Sequence, residues 1–66
     1  MTSHLADRQF SIAWQVYRGR SDREIARALG ISWHTVRNML TRIYRKLNMR
    51  GRTDLAVWIY REWVKA

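Results

Sequence analysis

The spacing of apolar residues along the chain predicts four helices, and no segment shows the alternation of a strand. In residues 32–47, SWHTVRNMLTRIYRKL, apolar side chains recur three or four positions apart, as on a helix packed against a core. The stripe is Val36, Leu40 or Met39, Ile43 and Leu47. The predicted helices cover about 7–18, 22–29, 33–47 and 54–64. We therefore expect a single all-α domain over residues 1–66.

Turn and cap residues mark the ends of these helices. Ser21 and Glu24 have the spacing of a capping box, in which each side chain bonds the backbone amide of the other residue. Ser32 and Thr53 are the N-caps expected for the third and fourth helices. Residues suited to the left-handed conformation follow the first three helices: Gly19, Gly30 and Asn48.

The second and third helices form a predicted helix-turn-helix unit. A short helix, the turn from Gly30 to Ser32 and a longer basic helix follow one another. In such a unit the later helix enters the DNA major groove, with its N-terminal residues on the bases. The side of the third helix away from the apolar stripe carries donors to phosphates or base edges and no acid: His34, Arg37, Asn38, Thr41 and Arg45.

The charge distribution supports a polyanionic partner. The chain has thirteen Lys and Arg against five Asp and Glu, a formal net charge of +8. No acid occurs between Glu24 and Asp54, whereas seven basic residues do, most of them arginines, which bind phosphate and guanine bidentately. A one-sign block on a folded element is typical of nucleic-acid binding. The alternative is a basic face that is merely solvated.

Several function classes are excluded or disfavoured by what the sequence lacks. There is no cysteine, and two histidines thirty residues apart (His4 and His34) make a poor metal site, so we expect no metal and no cofactor. We find no nucleophile–base pair and no phosphate-binding loop, and therefore expect no enzyme. No apolar run approaches the ~20 residues that span a bilayer.

The last helix is apolar on nearly all sides, which predicts a partner surface. One apolar stripe of this helix is enough to cover a small core. The other apolar residues of the helix would therefore be exposed in a monomer. We expect a homodimer whose interface contains Val57, Tyr60, Arg61 and Val64. Two alternatives stay open. The helix is buried on two sides within the monomer, or it binds a larger regulator or RNA polymerase and makes DNA binding secondary.

The sequence matches the residue pattern of a known family without a gap. The match runs over some fifty positions, from Leu5 to about Trp58. The matching residues are Leu5, Arg8, Gly19, Ser21, Glu24-Ile25-Ala26, Leu29-Gly30-Ile31-Ser32, Thr35-Val36-Arg37, Ile43, Lys46-Leu47, Arg52 and Leu55. The chain resembles the LuxR/GerE-type DNA-binding domain that also ends NarL-like response regulators. The resemblance implies a four-helix domain that binds double-stranded DNA as a dimer on inverted half-sites. It also implies a bacterial or phage-encoded cytoplasmic transcription regulator. If the chain begins at its natural start, we expect a stand-alone member of the family; a fragment of a longer protein is the alternative.

The resemblance also assigns DNA-contacting residues. Arg37, Asn38 and Thr41 fall where the family reads bases, with His34 an occasional contributor. Arginine can fork onto guanine O6 and N7, and asparagine can pair with adenine N6 and N7. Residues expected on the DNA backbone, or supporting that contact, are Ser32, Thr35, Arg42, Arg45, Lys46 and Arg52.

The sequence departs from the family pattern at several positions. The usual capping box of the first helix is absent in Leu5-Ala6-Asp7-Arg8-Gln9, and Ser3 is a candidate cap one turn earlier. Asp22 replaces a common Asn and would repel a phosphate there. Trp33 is unusual near the groove. Its ring either contacts a sugar or thymine methyl, or packs back onto the protein; we expect the second placement.

Overall fold

The computed structural model describes residues 5–65 and confirms an all-α fold. The four α-helices are α1 (Asp7–Tyr17), α2 (Asp22–Leu29), α3 (Trp33–Lys46) and α4 (Arg52–Ile59), and a π-helical segment, Tyr60–Val64, extends α4. The first three helices begin where the sequence predicts, and α1 and α3 each end one residue earlier. The predicted cap Ser3 lies outside the described residues.

The predicted caps of α2 and α3 are confirmed. The Glu24 amide donates to the Ser21 hydroxyl (3.2 Å), and the Ser21 amide donates to the Glu24 carboxylate (2.8 Å), which completes the capping box. Ser32 Oγ accepts from the Thr35 amide at 3.1 Å. The three predicted left-handed residues are also confirmed: Gly19 (φ 84°), Gly30 (φ 69°) and Asn48 (φ 57°).

The core is formed by one apolar face from each of the four α-helices and by Leu5, which precedes α1. It consists of Leu5, Ile12, Ala13, Val16, Ile25, Ala26, Val36, Leu40, Ile43, Leu55 and Ile59. Three of these residues, Val36, Leu40 and Ile43, belong to α3 and hold that helix by one side only. The opposite side of α3 is left exposed, because burial of this stripe fixes the rotation of the helix about its axis.

The start of the last helix differs from the prediction. The N-cap of α4 is Gly51, without a side-chain cap, so the prediction of Thr53 as the N-cap was wrong. Thr53 instead lies in the first turn, with Asp54. The Asp54 carboxylate accepts from the Arg50 amide at 2.9 Å, which ties down the residue before the cap and lets the helix begin two residues early. Asp54 still has the predicted favourable place near the positive end of the helix dipole.

The end of the last helix also differs from the prediction. The α-helical hydrogen bonding expected to Val64 stops at Ile59, and the amide of Lys65 donates to the Tyr60 carbonyl at 2.7 Å, a π-type bond. The ring of Trp63 within this wider turn lies edge-on to Phe10 of α1, with centroids 4.8 Å apart. This contact packs the π-helical segment against α1. No helix in the range 5–65 has the length and apolarity needed to cross a membrane.

We expect Glu24→Gln to remove part of the acid sensitivity of the fold. The hydrogen bond from the Ser21 amide holds the pKa of Glu24 below its usual value of 4.5. A lowered carboxyl pKa stabilises the fold fully above the unfolded-state value, and this contribution is lost as pH falls through the folded-state value. Glutamine can still accept the bond but does not titrate.

Melting temperatures of the two proteins, measured from neutral pH to about pH 3, test this expectation. At pH values below the usual Glu pKa of 4.5, the melting temperature should fall less in the variant than in the wild type. Equal decreases would assign the acid sensitivity to other carboxylates.

Candidate nucleic-acid interface

The four predicted base-reading residues share one exposed face of α3. His34, Arg37, Asn38 and Thr41 are spaced three, one and three positions apart, which places them on adjacent turns, and all four are exposed. Arg45 continues this face by one more turn. From His34 to Arg45 the face is about 16 Å long, at 1.5 Å per residue. The buried stripe of α3 lies on the other side, so the whole face is available to a groove.

The hydroxyl of Thr41 is partly committed within the helix. Its Oγ1 donates to the Arg37 carbonyl at 3.1 Å. The proton is therefore used, and what remains for a base is the oxygen as an acceptor and the methyl group. Such a side chain suits a base-edge amino group or a thymine methyl rather than an acceptor atom.

The two hydroxyls at the start of α3 bond to each other. Ser32 Oγ and Thr35 Oγ1 are 3.0 Å apart, in addition to the bond that Ser32 accepts from the Thr35 amide. Both residues are exposed. The structure thus places these two predicted backbone-contacting residues together at the N-terminus of α3, where the helix dipole favours a negative charge.

Trp33 is packed back onto the protein, the second of the two placements expected for its ring. Its side chain is half-buried and packs against the core. Its ring carries three polar neighbours. The guanidinium carbons of Arg23 and Arg37 lie 5.5 and 5.6 Å from the ring centroid, and the His34 ring stacks on it at 3.9 Å. Both guanidinium distances fall within the ~6 Å of a cation–π contact.

Arg52 makes long-range contacts within the chain. Its guanidinium forms an ion pair with the Asp22 carboxylate and donates to the carbonyl of Arg20. These contacts anchor the start of α4 to the start of α2. Asp22 is neutralised by this pair, so the repulsion of a phosphate that we expected from it is reduced. The role of Arg52 on the DNA backbone stays a prediction.

An open groove of about 420 Å³ runs between the start of α2 and α3. It is lined by Ser21, Asp22, Arg23, Trp33, Arg37 and Arg52. A second open groove of about 230 Å³ shares Asp22, Arg37 and Arg52 and reaches Tyr44. Burial raises the pKa of Tyr44 above its usual 10.0, so its hydroxyl remains a donor at neutral pH. Three guanidinium groups against one carboxylate make these grooves attractive to an anion.

Two residues of these grooves were missed by sequence reasoning. Arg23 lies within the capping box, and we considered that segment only as a helix start. Tyr44 lies between positions of the apolar stripe. A basic residue in the first turn of α2, the first helix of the helix-turn-helix unit, was the available signal for Arg23. Nothing in the periodicity pointed to Tyr44.

The remaining predicted backbone-contacting residues lie along the exposed surface of α3. Arg42, Arg45 and Lys46 are all exposed, and the last two fall in the final turn of the helix. Cations in that turn are favoured by the helix dipole even without DNA. For Arg45 and Lys46, the predicted role in positioning and affinity is compatible with stabilisation of the helix by their charges.

The predicted dimer residues are exposed on α4 and the π-helical segment. Val57, Tyr60 and Val64 form an apolar patch with exposed fractions of 43%, 46% and 42%. Arg61 is also exposed beside them. Burial of the last helix on two sides within the monomer, one of our alternatives, is wrong, because these side chains face solvent while Leu55 and Ile59 fill the core.

Comparison with known proteins agrees with a helix-turn-helix domain. Residues 3–59 match the family described as "Bacterial regulatory proteins, luxR family". A protein of Escherichia coli (strain K12) named "Putative HTH-type transcriptional regulator YhjB" is 40% identical over 55 residues. The aligned segment covers 83% of this chain and 28% of that relative. The match is to a family of regulatory proteins and not to an enzyme family. The chain belongs to the luxR family of bacterial regulatory proteins and has the helix-turn-helix DNA-binding domain of that family.

Proposed function

We propose that this chain is a sequence-specific transcription regulator that binds double-stranded DNA with α3 in the major groove. One observation carries the proposal: the side of α3 opposite the core is a continuous exposed face of arginine, asparagine, threonine and histidine without an acid. The major groove admits an α-helix and presents a distinct donor and acceptor pattern for each base pair.

Base reading is assigned to the N-terminal half of this face. Arg37 forks onto guanine O6 and N7, and Asn38 pairs with adenine N6 and N7. Thr41 accepts from an amino group or contacts a thymine methyl, since its proton is used within the helix. His34 contributes at the edge of the site, where its ring already stacks on Trp33.

Affinity without sequence preference is assigned to the residues around these four. Arg42, Arg45 and Lys46 contact phosphates along the groove, and each such contact releases a counterion. Ser32 and Thr35 bind a phosphate at the N-terminus of α3, where the dipole favours it. Arg52, which lines the protein groove between α2 and α3, contacts a further phosphate. In the free protein its guanidinium is paired with the Asp22 carboxylate.

We assign homodimerisation to the apolar patch (Val57, Tyr60 and Val64). An open groove of about 270 Å³ beside it is lined by Met49, Asp54, Val57, Trp58 and Arg61. Asp54 and Arg61 thus offer opposite charges next to an apolar surface. In a two-fold interface, Asp54 of one copy can pair with Arg61 of the other, and symmetry then forms the same ion pair a second time. Two copies of α3 would then face inverted half-sites.

Binding to selected DNA tests the proposal. Sequences bound by the protein are selected from random duplexes, and affinity for the selected site is compared with that for scrambled DNA at physiological salt. We expect an inverted repeat bound about 10³-fold more tightly than scrambled DNA. Equal affinity for the two duplexes would refute a sequence-specific regulator and leave only non-specific DNA binding.

The exposed apolar patch also supports a second candidate function. The same side chains would suit a larger regulator or RNA polymerase, with DNA binding secondary. The two functions differ in solution behaviour. A protein that stays monomeric at tens of micromolar, and binds single half-sites as tightly as inverted repeats, favours the second candidate.

A further inference from the structure

Trp33 contacts three exposed polar side chains at the predicted DNA surface. Its ring stacks on His34 at an interplanar angle of 25°, and the guanidinium groups of Arg23 and Arg37 lie over it. Two of these neighbours, His34 and Arg37, are predicted base readers. The third, Arg23, reaches the ring from the first turn of α2. The indole therefore connects both helices of the helix-turn-helix unit through their polar groups.

The ring is a firm support because it is anchored on its own side. Trp33 is the first residue of α3, directly after the Ser32 cap, and its side chain packs against the core. An indole has only two side-chain torsions and is rigid, whereas a free arginine side chain has a large rotamer entropy that is lost when the side chain is ordered. A guanidinium attracted to the indole face samples fewer rotamers before any DNA arrives.

We propose that Trp33 is a positioning residue for base recognition, an inference that rests on the proposed function. Its ring holds Arg37 and His34 in place on the DNA-facing side of α3 in the free protein. Preorganisation lowers the ordering cost of forming the bidentate contact with guanine. Trp33 thereby increases specificity without contacting a base, and Arg23 is held with Arg37 as one unit.

The test compares four variants on the selected duplex and on scrambled DNA. Trp33→Leu removes the aromatic face, and Trp33→Phe keeps a weaker one. Trp14→Leu is the matched control, because Trp14 is a half-buried tryptophan of α1 that contacts the rings of Phe10 and Tyr17. Arg37→Ala reports whether guanine reading exists at all.

We expect Trp33→Leu to reduce the ratio of specific to non-specific affinity about two- to fivefold, the range expected for loss of a cation–π contact at an exposed site. Trp33→Phe should lose less, and Trp14→Leu should leave the ratio unchanged. In the free protein, 15N relaxation of Arg37 Nε should show a more mobile side chain in Trp33→Leu than in the wild type or Trp14→Leu. A purely structural role of Trp33 would lower the melting temperature and leave both the mobility of Arg37 and the affinity ratio unchanged.

The outcomes separate failure of this inference from failure of the proposed function. If the wild type does not prefer the selected duplex, the proposed function fails. If the wild type prefers the selected duplex but Arg37→Ala keeps the same preference, or if Trp33→Leu keeps the full ratio, the positioning role is overturned. Replacing thymine by uracil in the selected site tests direct contact. If that replacement weakens the wild type but not Trp33→Leu, the ring contacts a thymine methyl and the inference is overturned.

Discussion

Arg37→Ala is expected to abolish discrimination at one guanine of the binding site while leaving non-specific binding nearly intact. A bidentate contact to guanine discriminates by about 1–3 kcal/mol, which corresponds to about 5- to 150-fold in relative affinity. The exposed guanidinium of Arg37 lies at the centre of the polar face of α3, between His34 and Thr41. Affinities for the selected duplex, and for versions altered at each base pair, measure the effect.

Arg42→Ala is the matched control for this variant, because it removes an exposed arginine from the same helix. It should weaken all duplexes about equally and reduce the slope of log affinity against log salt by about one. Arg52 is a poorer control, because its guanidinium also holds Asp22 and the Arg20 carbonyl. If Arg37→Ala behaves like Arg42→Ala, Arg37 binds a phosphate and base reading belongs to other residues.

The helices and the helix-turn-helix unit could be predicted because their signals are local. The stripe of Val36, Leu40 and Ile43 determines which side of α3 is buried, and the exposed polar face follows from it. Ser21 and Ser32 bond amides three residues away, so a short window of sequence contains the whole cap. The same holds for the left-handed turn at Gly30, because few other residues adopt that backbone conformation easily.

The features that could not be predicted depend on distant residues. Arg52 bonds Asp22 thirty positions away, and no local pattern indicates that pair. The start of α4 was misplaced because both Thr53 and Gly51 are acceptable N-caps, and the bond from the Arg50 amide to Asp54 favours the earlier start.

The π-helical segment and the neighbours of Trp33 likewise arise from tertiary packing. Trp63 lies against Phe10 of α1, at the other end of the sequence. Trp33 could be recognised as unusual, but its contact with Arg23 requires the angle between α2 and α3. Sequence therefore gives the composition of the candidate interface, and the fold determines which of its side chains are held by neighbours before DNA binds.

Replacing the apolar patch is expected to affect binding to an inverted repeat more strongly than binding to a half-site. Tyr60→Gln combined with Val57→Gln keeps helix-forming, uncharged side chains and removes apolar area from two residues that are 46% and 43% exposed. If these residues join two copies, binding of one copy to its half-site holds the second copy close to the other half-site. The second copy then binds at a high effective concentration. Loss of that link should weaken inverted-repeat binding about 100-fold.

The half-site duplex is the internal control, because the variant keeps α3 and its charges unchanged. Affinity for a single half-site should therefore equal that of the wild type, and sedimentation of the complex should show one copy where the wild type shows two. Moving the half-sites apart by about five base pairs turns one of them to the opposite face of the duplex. This insertion should weaken the wild type to the level of the variant and leave the variant unaffected. Equal loss on half-sites and inverted repeats would instead show that the substitutions damage the fold, and would remove the support for pairing through this patch.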